Sequence, residues 1–210
     1  MPDEPFKQLS QSLIKLHSNM KPTSREAVIE TGLQYLRNVG SENICKVCIS
    51  NSGSCCIGCR HLSDRVGCQR RNTSCTAWLC GFLNYLLYEL NLLEEWNDFW
   101  NEVPGQKFRR DVTPEYFFMS KSLSVPNFRH LSEAFAADLE ELARKHIAIG
   151  FILTLREKLD KNMERLELSR NNPTYHSIIK RTIKELASPF HRFHEALDEY
   201  RLCTAKRDKD

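Results

Sequence analysis

The sequence predicts an all-α protein, a helical bundle with an inserted cysteine-rich metal-binding loop module. On both sides of residues 41–80, apolar residues recur at three- and four-residue intervals, which is the period of a helix face. Within residues 41–74 neither a helical nor a strand period persists, and eight of the nine cysteines lie in the 36 residues that begin at Cys45. The predicted segments are N-terminal helices (1–40), a cysteine-rich metal-binding module (41–80), a helical core domain (81–203) and a solvated tail (204–210).

Composition favours an ordinary globular protein. The 210 residues are 41% hydrophobic and 27% charged, which suits one core or a small metal module attached to a larger domain. The formal net charge of +3 is too small for the basic footprint of a dedicated nucleic-acid-binding protein. After Met1, the first residues are prolines and acidic residues and do not have the pattern of a secretory signal, so we expect a cytoplasmic protein. In that reducing compartment, dense cysteines indicate metal or redox chemistry more than a disulfide framework.

Two helices are predicted before the cysteines. Residues 5–19 place apolar side chains on one face of a short amphipathic helix. The run Thr23-Ser24-Arg25-Glu26 resembles a capping box, and the helix that it opens is expected to stop near Gly40. Its inward side chains are predicted to be Val28, Ile29, Leu33 and Leu36.

The cysteine spacing carries the strongest chemical signal. In the pairs Cys45/Cys48 and Cys56/Cys59, two intervening residues allow one tight turn to direct two thiolates at a single metal ion. The adjacent Cys55 and Cys56 cannot easily share one small tetrahedral site. The cysteines therefore indicate two four-ligand sites, or one cluster with spare thiols. The candidate ligands are Cys45, Cys48, Cys55, Cys56, Cys59, Cys68, Cys75 and Cys80.

The ligand type restricts the metal. Clustered thiolates with few carboxylates nearby suit zinc or an iron–sulphur cluster, and do not suit magnesium or calcium. The local charge of +3 over residues 41–80 has the sign that helps to hold thiolates. His61 is expected outside the ligand set, and Cys203 is interpreted as a lone thiol. Trp78 is expected either to shield the sulphur atoms or to be the first core residue of the next helix.

The arrangement Cys45-x2-Cys48, Cys55-Cys56-Ile57-Gly58-Cys59, Gly67-Cys68 and Trp78-Leu79-Cys80 resembles the cysteine-cluster proteins of the YkgJ type. That bacterial group is regarded as binding zinc or an iron–sulphur centre. The resemblance covers about forty residues and implies a metal, with no particular substrate.

The apolar run from Thr76 predicts one central core helix that continues past Leu93 to Trp100. Its start is expected between Cys75 and Cys80, with Cys75 in the loop and Asn72, Thr73 or Ser74 as the cap. A membrane span is disfavoured because polar side chains interrupt the run and no basic anchor follows it. Pro104-Gly105 should end this element.

Further helices are predicted towards the C-terminus. Asp111 or Thr113 is expected to cap a short helix that begins at Pro114. A longer helix should follow Pro126. The segment 147–153 is interpreted as a buried helix broken at Gly150. The inward positions after Pro126 are Leu131, Phe135, Leu139 and Leu142, and a last apolar stripe, kinked at Pro189, comprises Ile179, Ile183, Leu186, Phe190, Phe193, Leu197 and Tyr200.

Three functions follow, in order of preference. The first is an intracellular metal-binding protein that acts as an interaction or sensor protein and has a protein partner. The second is an iron–sulphur redox or cluster-handling enzyme. The third is a nucleic-acid-binding accessory protein, with anion contacts from Arg60, Arg65, Arg70 and Arg71.

Other catalytic patterns are weak. The sequence has no glycine-rich phosphate loop, no HExxH motif and no G-x-S-x-G motif. His191 and His194, with Glu195 or Glu199, are interpreted as ordinary helix-surface residues. The run from Arg109 to Asp111 could contact an anion, but caps and surface ion pairs explain it equally well.

Overall fold

The computed structural model describes residues 20–54, 59, 61–63, 67–68, 70–107, 110–124, 127–146 and 150–207. Over these residues the chain is mostly helical, which confirms the predicted helical class. The described part also contains short two-stranded antiparallel pairs that the sequence did not predict. The helix predicted over residues 5–19 lies outside the described residues.

The helices are α1 (Arg25–Asn38), α2 (Ser41–Ser50), α3 (Thr73–Ala77), α4 (Gly81–Glu89), α5 (Leu93–Asn101), α6 (Arg129–Lys145), α7 (Phe151–Leu168), α8 (Pro173–Ala187) and α9 (His191–Arg207). The strand pairs are β1 (Lys21–Ser24) with β6 (Tyr116–Met119), β2 (Leu62–Ser63) with β3 (Gly67–Cys68), and β4 (Gln106–Lys107) with β5 (Arg110–Asp111). In the longest pair, Lys21 is opposite Met119 and Ser24 is opposite Tyr116. No described helix has the length and apolar character needed to cross a membrane.

The core is centred on α6, which packs against α2 and α9. All four predicted inward residues of α6 are buried. The Phe135 ring lies 4.7 Å from the Phe190 ring and 5.1 Å from the Phe193 ring, centroid to centroid. The Phe135 ring also contacts Phe82 and Tyr85 of α4, at 5.9 and 5.8 Å. This aromatic cluster joins three helices that are distant in sequence.

The chain breaks completely at Pro189, where the sequence predicted only a kink. Helix α8 ends at Ala187 and α9 begins at His191. The buried carboxylate of Asp138 stabilises the new helix start, because it accepts a hydrogen bond from the Phe193 backbone N–H at 2.9 Å. Helix α9 continues to Arg207, so the segment predicted as a solvated tail from residue 204 begins as helix.

The start of α1 differs from the predicted capping box by one residue. Ser24, and not Thr23, is the N-cap, and its hydroxyl accepts a hydrogen bond from the Ala27 N–H at 3.1 Å. The predicted end is confirmed, since Gly40 has a φ of +74° directly after the helix. A left-handed residue at this position lets the chain turn straight into α2.

The prediction of a loop is wrong for Ser41–Ser50, which forms α2. Ile44, Val47 and Cys48 are buried at helical spacing and face α6. The three-residue interval that suggested a metal-binding turn is also the interval between neighbours on one helix face. Packing against α6 therefore supplies order that the sequence analysis assigned to metal.

The single central helix predicted from Thr76 to Trp100 is also wrong. The run is divided into α3, α4 and α5 by extended backbone at Trp78 and by a turn at Asn91, where φ is +56°. These breaks let successive short helices turn their apolar faces to one core. The prediction of a short helix beginning at Pro114 is wrong, because strand β6 (Tyr116–Met119) follows that proline. Asp111 caps the start of α3 instead, where it accepts a hydrogen bond from the Thr73 N–H.

The part of the predicted helix that follows Gly150 is confirmed, since α7 begins at Phe151. Gly150 has a φ of +88° and immediately precedes α7. Residues 147–149 lie outside the described residues.

Candidate functional site

The candidate ligands lie on several elements. Cys45 and Cys48 are on α2, Cys75 is on α3, and Cys80 is the N-cap of α4. The prediction that Cys75 lies in a loop is therefore wrong, because α3 begins at Thr73 and includes it. Cys59 is half-buried. Cys55, Cys56 and the side chain of Cys68 lie outside the described residues.

Helix α2 places two thiols on one face. Cys45 and Cys48 are three residues apart, so their side chains project about 60° from each other around the helix axis. Cys48 is buried, and Cys45 is half-buried. Just after α2, the Gly53 N–H donates to the Cys48 carbonyl oxygen at 2.8 Å. A Cβ at Gly53 would lie 2.3 Å from Cys48 Sγ, so only glycine allows the chain to turn back this closely over the thiol.

A buried arginine lies at the Cys48 thiol. Arg156 of α7 is 7% exposed, and its Nη1 lies 3.7 Å from Cys48 Sγ and 3.0 Å from the Ser54 carbonyl oxygen. Arg156 is not among the site residues predicted from the sequence. The signal was present, since Arg156 stands on the face of α7 that also buries Ile152, Leu159 and Met163. A cation on an apolar helix face indicates a specific anionic or polar partner.

The backbone of Arg156 lies against the start of α4. A Cβ at Gly81 would be 2.2 Å from the Arg156 carbonyl oxygen and 2.5 Å from the Asp160 amide nitrogen. The neighbouring Cys80 is 6% exposed. Helix α7 therefore contacts α4 through the Arg156 backbone and the Cys48 thiol of α2 through the Arg156 side chain.

A separate polar network fixes α3, the helix that carries Cys75. The Asn72 side chain caps this helix, because its oxygen accepts a hydrogen bond from the Cys75 N–H at 2.8 Å. Asn72 is one of the three residues that the sequence predicts as caps. Asp111 accepts from the Thr73 N–H at 3.1 Å and from the Thr73 hydroxyl at 2.9 Å. Burial alone would raise the pKa of Asp111, but hydrogen bonds from Thr113 and Thr73 outweigh it and hold that pKa below its usual value.

Trp78 is not a core residue. It is 40% exposed and borders a cleft of about 610 Å³ between α3–α5 and α7–α8. The opposite wall includes Asp160, whose carboxyl has a raised pKa. Burial is the largest cause of that shift. This cleft could not be predicted from the sequence, because its walls come from helices about 80 residues apart in the chain.

The other predicted contacts are spread over the surface or the core. Arg70 is exposed and Arg71 is half-buried, whereas Arg60 and Arg65 lie outside the described residues. His194 Nε2 lies 2.9 Å from the hydroxyl of the buried Tyr85. The hydrogen bond between these two side chains accounts for the orientation of the imidazole. Cys203 is exposed on α9.

Within the described residues, no group of three or more His, Cys, Asp or Glu side chains is placed to hold a metal ion. The described side chains do not include the thiols of Cys55, Cys56 and Cys68. Comparison of the chain with known protein families, curated proteins and solved structures finds no match.

Proposed function

We propose that this protein binds zinc or an iron–sulphur centre through its cysteine cluster and acts as an interaction or sensor protein. The observation that supports the proposal best is the buried Arg156 guanidinium beside the Cys48 thiol, 3.7 Å from Nη1 to Sγ. It places a positive charge from outside the cysteine-rich segment beside Cys48, the buried one of the two thiols of α2.

The charge balance favours thiolate chemistry at this position. Burying a guanidinium is unfavourable unless it has an anionic partner and its donors are hydrogen-bonded. The Ser54 carbonyl oxygen accepts one hydrogen bond from Arg156, and the Asp160 carboxylate, one turn further along α7, also interacts with the charge of Arg156. A thiolate at Cys48 would add negative charge directly beside the guanidinium, and a nearby cation stabilises the thiolate form that binds metals.

The donor set fits a soft metal. A zinc ion with four thiolate ligands has an overall charge near −2, and a four-iron cluster with four thiolate ligands has a similar charge. Arg156 would offset part of that charge from outside the ligand shell, as hydrogen-bonding partners of metal ligands do. We favour binding or sensing over catalysis because the sequence has no recognised catalytic motif.

The proposal predicts that protein purified without oxygen contains zinc or iron, and that Cys45→Ser and Cys48→Ser lower the bound metal per chain. Elemental analysis and the absorption spectrum distinguish the two metals, since an iron–sulphur centre absorbs at roughly 400 nm. Wild-type protein without either metal, or serine variants with full occupancy, would contradict the proposal.

Arg156→Met tests the contribution of the charge separately. We expect metal affinity to fall roughly 10-fold or more, measured by competition with a chelator, as for other partners of metal ligands. Arg165→Met is the matched control, since Arg165 is exposed on the same helix. Equal affinities of the two variants would contradict a contribution of the Arg156 charge to metal binding.

A further inference from the structure

The cleft beside Trp78 has the dimensions of a small-molecule site. Its volume of about 610 Å³ lies within the range of roughly 300 to 1,000 Å³ found for ligand pockets. One wall is formed by Trp78, Tyr88 and Leu93. The indole of Trp78 is 40% exposed, although such rings are usually buried more completely.

The opposite wall is acidic. Glu157, Asp160 and Glu164 lie within about 60° of one another around the α7 axis and line the cleft. None of these three carboxylates forms an ion pair in the part of the chain that the structure describes. Glu167, further along the same helix, does pair with Arg170, at 3.8 Å. The three carboxylates therefore leave negative charge directed at the cleft.

The local charge is unfavourable for the protein alone. Burial raises the pKa of Asp160, and the neighbouring carboxylates of Glu164 and Glu157 raise it further. Arg156 and a hydrogen bond from Asn84 oppose this shift without reversing it. A bound cation would relieve the repulsion between these carboxylates.

The arrangement suits an organic cation better than a metal ion. No three acidic, histidine or cysteine side chains among the described residues come together closely enough to hold a metal. The carboxylates are instead spread along two turns of α7, opposite an aromatic wall. The indole and phenol rings of that wall can pack against the carbon chain of an alkylammonium compound, and their faces also attract its neighbouring ammonium groups.

We propose that this cleft binds a small alkylammonium compound of diamine size, with its nitrogen atoms beside Glu157, Asp160 and Glu164 and its carbon chain against Trp78 and Tyr88. Lys161 and Arg170 also border the cleft and reduce its negative charge, so the site selects compounds that place their charge on the carboxylate wall. The inference is independent of the metal proposed for the cysteine cluster.

The test uses the whole 210-residue chain and 1,5-diaminopentane, with 1,5-pentanediol as an uncharged analogue of the same length. Calorimetry should show binding of the diamine and at least tenfold weaker binding of the diol. The diamine should also change the tryptophan fluorescence of the protein, and Trp78→Phe should remove that change, because Trp96 and Trp100 are buried.

Substitution of single carboxylates by amides tests which of them contribute to diamine binding. Asp160→Asn and Glu164→Gln should each weaken diamine binding about tenfold, whereas Glu199→Gln, at an exposed position on α9, should leave it unchanged. Glu164 is exposed, so its variant remains informative if Asp160→Asn fails to fold. Equal binding of diamine and diol, tighter binding of Ca²⁺ than of the diamine, or unchanged binding by Glu164→Gln would each overturn the proposal.

Discussion

Asp111 shows how one side chain positions a cysteine-bearing helix across a long sequence separation. Its carboxylate receives hydrogen bonds from the backbone and hydroxyl of Thr73, at the first turn of α3, and from the Thr113 N–H at 3.0 Å. The Thr73 and Thr113 hydroxyls lie 2.8 Å apart, so the same network also joins the two threonines. A carboxylate at a helix start satisfies N–H groups that have no partner within the helix.

Asp111→Asn should lower the free energy of unfolding at pH 7 by about 2 kcal/mol, because hydrogen bonds to a charged acceptor are lost or weakened. The pKa of Asp111 in the folded protein is lowered. Its stabilising contribution is therefore complete above the unfolded pKa of about 4 and is lost as the pH falls through the lower folded value. Urea denaturation from pH 7 to pH 3 should thus show a smaller acid-induced loss in the variant than in the wild type.

Asp198→Asn is the control for the Asp111 variant, since Asp198 is exposed on α9. It should reproduce the wild-type pH profile. Parallel profiles for Asp111→Asn and the wild type would show that the Asp111 network does not depend on ionisation.

At the scale of elements, the crossing of α4 and α7 brings the cysteine region and the cleft together. Gly81 permits the contact, because any side chain there would meet the backbone of Arg156 and Asp160. Arg156 extends from this crossing to Cys48, and Asp160, one turn later, lines the cleft. The two proposed sites therefore share one helix–helix contact.

Gly81→Ala should destabilise the protein by roughly 3 kcal/mol, since the added methyl group forces backbone to move at a close-packed crossing. Gly150→Ala is the comparison. At Gly150 a Cβ meets no atom within 4 Å, and only its φ of +88° opposes the change, at a cost of about 1 kcal/mol. Thermal and urea unfolding of both variants measure the difference. Equal destabilisation by the two variants would mean that moving α4 away from α7 costs no more free energy of unfolding than the backbone strain at Gly150.

Sequence reasoning succeeded where one helix face carried an uninterrupted apolar stripe. Leu131, Phe135, Leu139 and Leu142 predicted α6 because their spacing has one structural interpretation. Helix α2 was missed because Cys45 and Cys48 satisfy the spacing of a metal-binding turn and of a helix equally. Arg156 and the acidic cleft were missed for a different reason, since both depend on contacts between elements that only the tertiary fold brings together.

At the scale of the whole molecule, packing holds the cysteine-bearing helices independently of any metal. Helix α2 buries Ile44 and Val47 against α6, and α4 buries Phe82 in the aromatic cluster around Phe135. Helix α3 is held by Asp111, and also by the Trp96 Nε1–H, which donates to the Ala77 carbonyl oxygen at 2.9 Å. None of these contacts uses a thiol.

Removal of metal from the proposed cysteine site should therefore leave α2 and α4 folded, in contrast to small zinc domains that unfold without metal. Hydrogen exchange measured with and without a chelator should show unchanged protection over residues 44–50 and 82–89, because these amides belong to helices buried in the main core. Protection in α8 serves as the internal control, since that helix carries no cysteine. Loss of protection in α2 and α4 with α8 unaffected would show that metal ligation, and not packing against α6 and α7, holds these helices in place.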